Sequence, residues 1–239
     1  MNTNDTLIDI IRYTDKSENS DTDNELTFDM TGGRVIGEGG FGCVLKPAVR
    51  CDGKERKGDK FITKIQLDSE TSYREIEISK LIKKIPLFKK HFAPIVSNCY
   101  SKPKVVNMIV KNNNCRFLNE NPDEKFAIST IPAIQGDNFK QYIYNQVDNS
   151  NLLYTTIHSY VYLLFSIYLL DKHDIIHYDL KGENIMFDII KKRPIIIDFG
   201  LSIHKKDINP ESKGIDLRHL RSEEHTSELQ SPCNLVCRL

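Results

Sequence analysis

Three polar residues that could do chemistry together lie within one short stretch, Ile-Ile-His-Tyr-Asp-Leu-Lys-Gly-Glu-Asn-Ile at residues 175–185. They are Asp179, Lys181 and Asn184, and a second carboxylate, Asp198, follows in Asp198-Phe199-Gly200. A carboxylate that can take a proton, an ammonium two positions on, a neutral amide oxygen and another carboxylate suit transfer of an anionic group. Phosphoryl transfer passes through a loose transition state, so the protein mainly positions groups and neutralises charge. Asp179 would accept a hydroxyl proton and orient that oxygen in line. Asn184 and Asp198 would give hard oxygen ligands to Mg2+. The plain alternative is an accidental polar loop after a buried helix. The order, the spacing and two upstream segments weigh against it.

The first upstream segment is Gly37-Glu38-Gly39-Gly40-Phe41-Gly42-Cys43-Val44, which contains Gly-x-Gly-x-x-Gly. Glycines let backbone approach phosphate oxygens and adopt positive φ without strain. By itself the pattern fits a flexible hairpin turn equally well. A dinucleotide-binding unit needs a helix directly after the glycines, and a β-like stretch follows here instead. The second segment is Phe61-Ile62-Thr63-Lys64-Ile65, a lysine among apolar strand residues. Such a lysine is usually an edge residue reaching for water. If it points inward it needs a carboxylate, and Glu75 qualifies. Glu75 shares a helix face with Ile78 and Ile82, whereas Glu77 shares one with Lys80 and Lys84.

The elements that would position these groups follow from periodicity and punctuation. Residues 34–36 and 43–46 read as strands around a glycine turn at 37–42, and 61–67 as a third strand. Residues 70–85 turn helical, with Ile78, Leu81, Ile82 and Ile85 on one face. Residues 126–131 suit a strand, and 138–144 a short helix that Asp137 could cap. Residues 152–172 form a long apolar helix, expected to be buried. Residues 185–188 and 194–197 form a hairpin around Lys191-Lys192. Strands first and helices later imply an α+β chain of two lobes with a cleft between. No internal repeat is visible.

The bulk numbers narrow the class. With 239 residues, 39% hydrophobic and 28% charged, the chain is ordinary globular material. Lys plus Arg and Asp plus Glu each total 33, so no global field points to nucleic acid. The six cysteines show no Cys-x-x-Cys pair, which argues against structural zinc and for scattered reduced thiols in an intracellular, cytoplasmic protein. The N-terminus carries no secretory signal pattern. The longest apolar run, residues 160–170, falls short of the roughly 20 residues that span a bilayer, so no membrane partner is expected. Residues 1–29 are polar and acidic enough to be a disordered leader, with a short helix possible at 7–13.

Taken together, residues 31–220 resemble the eukaryotic-type protein kinases: glycine-rich loop, strand lysine, catalytic loop and Asp-Phe-Gly in order. The resemblance implies a two-lobed fold, a small antiparallel β lobe with one helix and a mainly helical large lobe. Its parts would be an N-lobe at about 30–131, a linker at 131–136 and a partial C-lobe at 137–220. It implies ATP and Mg2+ as cofactors and Ser/Thr hydroxyls of protein substrates as acceptors. Lysine two after the aspartate is the serine/threonine pattern. Asp179 and Lys181 would then be catalytic, with Lys181 beside the transferring phosphate, and Asn184 and Asp198 metal ligands. Ile36, Gly37, Glu38, Gly39, Gly40, Phe41, Gly42 and Val44 would cover the nucleotide, while Lys64, held by Glu75, reaches its phosphates. Counting back from Gly136-Asp137 puts a pocket-lining Thr130 before an adenine-binding Ile131 carbonyl and Ala133 amide, with Asp137 on the ribose. The insert at residues 46–53 and the Asn/Ile/Lys-rich style are similar to kinases of large DNA viruses.

The chain departs from that pattern in places. Tyr178 stands where the family has an Arg that pairs with a phosphorylated activation loop, so such control is not expected. Ile62 replaces a small Ala that would sit above adenine. Residues 221–231, Arg-Ser-Glu-Glu-His-Thr-Ser-Glu-Leu-Gln-Ser, resemble the translation of a sequencing-library adapter, and 234–239 its continuation. Residues 221–239 are therefore read as foreign, and the kinase-like sequence as cut off in its activation segment, too early for catalysis by this chain alone. Two other classes stay open. A nucleotide-binding pseudokinase scaffold would not need Lys64, Asp179, Asn184 and Asp198 together. A small-molecule kinase of related fold is disfavoured, not excluded, by Lys181.

Overall fold

A computed structural model of the chain describes residues 33–39, 42–51, 56, 58–101, 115–121, 123–146 and 150–208. The leader, Gly40 and Phe41 of the glycine turn, and residues 209–239 lie outside the described residues. The described part is a mixed α+β arrangement built on antiparallel sheets. Its main sheet joins β1 (Arg34–Gly39), β2 (Gly42–Lys46), β3 (Phe61–Leu67), β4 (Ser97–Ser101) and β5 (Phe126–Pro132) in the order β1-β2-β3-β5-β4. β1 continues to Gly39, further into the glycine segment than the sequence suggests, and the pairing slips between Val35 and Gly37, leaving Ile36 as the extra residue of a bulge.

One face of this sheet is apolar because β2 and β3 alternate. Cys43, Leu45 and Ile65 point to it, and Phe126 and Ile128 of β5 complete it. Helix α3 (Arg116–Glu120) closes that face with Phe117 and Leu118. Neither α3 nor α2 (Phe88–His91) nor β4 is foreseen from sequence, and each is five residues or fewer.

The cysteines correct an expectation. Cys43 is joined to Cys115 and Cys51 to Cys99, with Cα–Cα separations of 6.2 and 6.1 Å. These are paired cysteines, not scattered thiols. Sequence spacing could not show it, because the partners are 72 and 48 residues apart and meet only once the sheet is paired.

Helix α1 (Glu70–Ile82) starts at a capping box: the Ser72 amide donates to Ser69 Oγ and the Ser69 amide to Ser72 Oγ, 3.4 and 3.0 Å. It ends three residues before the expected 85. The amides of Lys84 and Ile85 turn to carbonyls three residues back, and Pro86 disfavours helical backbone at Ile85. Its stripe of Ile78 and Ile82, with Ile85 and Phe92, packs on Leu163, Leu170, Ile175, Ile185, Ile196 and Phe199. That second core ties the main sheet's helix to the rest of the chain.

Helix α4 (Phe139–Asn145) is capped by Asn138, whose side-chain oxygen accepts from the Gln141 amide at 2.9 Å. Asp137, expected as the cap, sits one residue too early. Helix α5 (Leu152–Lys172) has the expected bounds, but only one face is buried, through Ser159, Tyr162, Leu163, Ser166 and Leu170. The opposite face exposes Leu153, Ile157, Tyr160, Leu164 and Ile167. At 21 residues α5 is long and apolar enough, by length and composition, to cross a membrane, which the shorter run counted from sequence did not suggest. Its buried face is anchored: Tyr162 donates to the Lys90 carbonyl at 2.7 Å, and Ser166 Oγ lies 2.8 Å from His91 Nδ1. After α5 come β6 (Ile175–Ile176), the hairpin β7 (Ile185–Asp188) with β8 (Arg193–Ile196), and β9 (Ile203–His204), which pairs with β6.

Candidate active site

The site is assembled from β2, β3, α1 and the segments flanking the β7–β8 hairpin. Lys64 lies in mid-β3, opposite Val44 on one side and Ser129 on the other. Directly opposed residues of an antiparallel pair project to the same face, so Val44, Lys64 and Ser129 share a face opposite the Cys43–Ile65 core. Helix α1 covers that face and presents Glu75, which is 2% exposed. The Lys64 ammonium donates to both Glu75 oxygens, at 3.2 and 3.0 Å, and to Asp198 Oδ1 at 2.9 Å. One cation thus joins the sheet, its helix and the segment after the hairpin. Gln66, two residues along the same face, donates to Glu75 Oε2 at 3.0 Å. The alternation that places Lys64 inward places Gln66 inward too, a signal the sequence reading left unused.

Burial pushes the Lys64 ammonium toward neutrality, but the charges of Glu75 and then Asp198 outweigh it and hold its pKa well above the ordinary lysine value. For Asp198, burial favours the neutral acid. The Lys64 charge and hydrogen bond, with a bond from the Gly200 amide, overcome that and keep the carboxyl below its usual range. Although the Asp198 side chain is 45% exposed, the carboxylate is held ionised by its partners.

Asp179, Lys181 and Asn184 form the adjoining cluster. The Asn184 amide donates to the Asp179 carbonyl at 2.9 Å and to Asp179 Oδ2 at 2.8 Å. Lys181 Nζ lies 3.4 Å from the same Oδ2. With its nitrogen committed, Asn184 has its side-chain oxygen left to offer. The Ile197 amide donates to the Asn184 carbonyl at 3.0 Å, which fixes Asp198 one residue beyond. His177 sits behind both clusters, its ring 5.0 Å from that of Phe199 and its Nε2 3.0 Å from the Ile197 carbonyl. Burial lowers its pKa against the raising effects of that carbonyl and of Asp198 and Asp179, so it serves as a neutral prop. Two residues here, Tyr178 at φ 66° and Asp198 at φ 58°, have left-handed backbone. For a tyrosine that conformation is an outlier, and such outliers cluster at functional segments.

The described residues of the glycine segment lie in β1 and β2, next to β3. Gly42 has φ +149°, and a side chain there would run into the Ile65 carbonyl, so only glycine fits. Val44 is on the Lys64 face, and Gly37 and Gly39 pair with Val44 and Gly42. Ile36 is 54% exposed. Glu38 departs from expectation. Its Oε1 accepts from the Phe117 amide at 2.9 Å, turning the side chain toward α3 and away from a ligand under the loop.

The linker after β5 also needs correction. Ile131 is opposite Ile62, and Thr130 opposite Thr63, which is buried and bonded to Val49 on the other face. Ile131, not Thr130, therefore shares the Lys64 face. The Ala133 amide donates to the Lys60 carbonyl at 2.9 Å, so it extends the β3–β5 ladder and is not available to adenine. Counting from Gly136 gave the wrong position because it could not see the register. Asp137 is exposed, and its carbonyl accepts from the Phe187 amide.

Comparison with protein-family models and with curated proteins finds no match to either.

Proposed function

We propose that the chain carries the catalytic segments of an ATP- and Mg2+-dependent protein serine/threonine kinase, arranged as two lobes about the Lys64–Asp198 contact. The observation that carries this reading is the single cation Lys64 bonded at once to Glu75 of α1 and to Asp198, with Asp179, Lys181 and Asn184 alongside. A purely structural ion pair needs neither the second carboxylate nor the neighbouring base.

In this reading Lys64, oriented by Glu75, binds the α- and β-phosphates. Asp198 and the Asn184 oxygen suit Mg2+, a hard cation that takes oxygen ligands; bound there, the ion would neutralise phosphate charge. Asp179, held by the Asn184 amide, takes the proton from the acceptor hydroxyl and aligns that oxygen. Lys181, beside Asp179, stabilises charge on the transferring group. The backbone of the glycine segment covers the phosphates. Adenine would lie against Ile131 and Ile62, which pair on the Lys64 face, and meet the linker backbone that follows. Transfer is proposed for a chain in which kinase-like sequence extends past residue 220, as the resemblance implies.

The test is transfer of labelled γ-phosphate to a generic Ser/Thr protein, made with that continued chain. Asp179→Asn should lower the rate by at least roughly 10²-fold, the scale of a general base, and Lys64→Met should abolish it. Near-normal turnover with either change would overturn the assignment.

A further inference from the structure

The glycine segment is held from behind at two points. In the register of β1 and β2, Glu38 stands opposite Cys43, and both are tied to the same short helix. Glu38 accepts from the Phe117 amide and Cys43 is bonded to Cys115, the residue that precedes α3. Helix α3 has five residues and no side-chain cap at its N-terminus, and only Asn121, donating to the Phe117 carbonyl at 2.8 Å, closes its other end, so its place depends largely on these tethers and on Phe117 and Leu118. The second disulfide is concentric with the first. Cys51, in the turn after β2, is joined to Cys99 in the outer strand β4. The two differ in access: Cys51 is exposed and Cys99 half-buried, whereas Cys43 and Cys115 are 0% and 1% exposed.

We infer that Cys43–Cys115 is a redox-operated clamp on the glycine segment, and that Cys51–Cys99 is an outer staple that leaves that segment unaffected when opened. Opening each one is thiol–disulfide exchange with a small dithiol or a glutathione-type thiol. A reductant thiolate attacks one protein sulfur, the partner cysteine leaves as thiolate and takes a proton, and a second reductant thiol displaces the mixed disulfide. Two protein thiols form, and the reductant leaves as its own disulfide. Access sets the order, with Cys51–Cys99 opening first. Loss of Cys43–Cys115 frees α3 from β2 and leaves the β1 side with one hydrogen bond, so the glycine hairpin opens locally. The Lys64 face stays built, because Cys43 points to the opposite side of the sheet.

Its consequence for nucleotide rests on the function proposed above, so the experiment reads the clamp directly as well. Amide hydrogen exchange is followed by mass in the oxidised chain, in the chain under rising dithiothreitol with thiols counted by alkylation, and in Cys43→Ala/Cys115→Ala and Cys51→Ala/Cys99→Ala. Loss of the inner pair should speed exchange across residues 34–46 by about tenfold while Phe126–Pro132 stays protected. Loss of the outer pair should leave 34–46 unchanged. Mg2+·ATP affinity, titrated in parallel, should fall about tenfold only with the inner pair. Unchanged exchange in 34–46 after loss of the inner pair overturns the clamp. So does exchange rising equally in β5, whether by reduction or because the alanine variant unfolds, since the bond is then a general staple. Nucleotide binding in neither redox state would count against the kinase reading and leave the exchange result to decide the clamp.

Discussion

Replacing Glu75 by Gln removes one charge from the centre of the site and changes almost no volume. Glu75 now accepts three hydrogen bonds, two from Lys64 and one from Gln66, and is 2% exposed. A glutamine has one acceptor oxygen, so its NH2 group must face either the Lys64 ammonium or the Gln66 amide, donor against donor. Hydrogen bonds to charged groups contribute about 1.5–3 kcal/mol, and breaking a buried pair by removing one partner costs about 3–5 kcal/mol. Lys64 keeps Asp198 as a second carboxylate partner, so the lower part of that range applies. A loss of about 2–3 kcal/mol in urea unfolding is expected. Lys64→Met alone should strand Glu75 in the same way. The Lys64→Met/Glu75→Gln pair should lose less than the sum, with a coupling energy of at least about 1 kcal/mol. If Glu75→Gln stays within about 0.5 kcal/mol of wild type, or the two changes add, the three-way contact is not what organises this site.

Three further outcomes follow from particular contacts. His91, buried against Ser166 and Tyr162, has its pKa lowered from 6.5 to about 4, by burial first and then by Arg193 and Lys90. The unfolded chain therefore binds the proton more readily, and stability is full above pH 6.5 and falls toward pH 4 by up to about 3 kcal/mol. Urea midpoints at pH 7 and 4.5 should show that slope, and it should shrink in His91→Gln. Gly42→Ala should cost more than about 1 kcal/mol in the same assay, because φ +149° and the Ile65 carbonyl both exclude a side chain. Asn138→Ala should cost about 1 kcal/mol as a lost cap, whereas Asp137→Ala should leave stability nearly unchanged.

How legible the chain was depends on how local each feature is. Strand β3 and helix α5 have the bounds that alternation and the apolar run suggest. The choice of Glu75 over Glu77 also follows from period, and Glu77 does pair outward with Lys80, whereas the pattern around Lys64 fits an outward edge lysine as well as an inward one. What failed depends on pairing between distant segments. The register of β5 against β3 moves the linker by one residue, and no local pattern encodes register. Glu38 looks like a ligand residue until α3 is folded behind it. The disulfides join positions 72 and 48 residues apart and carry no spacing signature. The exposed face of α5 reads as core in sequence because composition cannot say which side of an apolar helix is covered.

Calorimetric titration of the chain with ATP, with and without Mg2+, separates the roles of the two carboxylates when wild type is compared with Asp179→Asn and Asp198→Asn. In the proposed reading Asp179 serves the acceptor hydroxyl and Asp198 the metal. Asp179→Asn should bind Mg2+·ATP within about threefold of wild type, while Asp198→Asn should lose the Mg2+-dependent part of the affinity, about tenfold or more. Binding that ignores Mg2+, or that Asp198→Asn leaves intact, would contradict it.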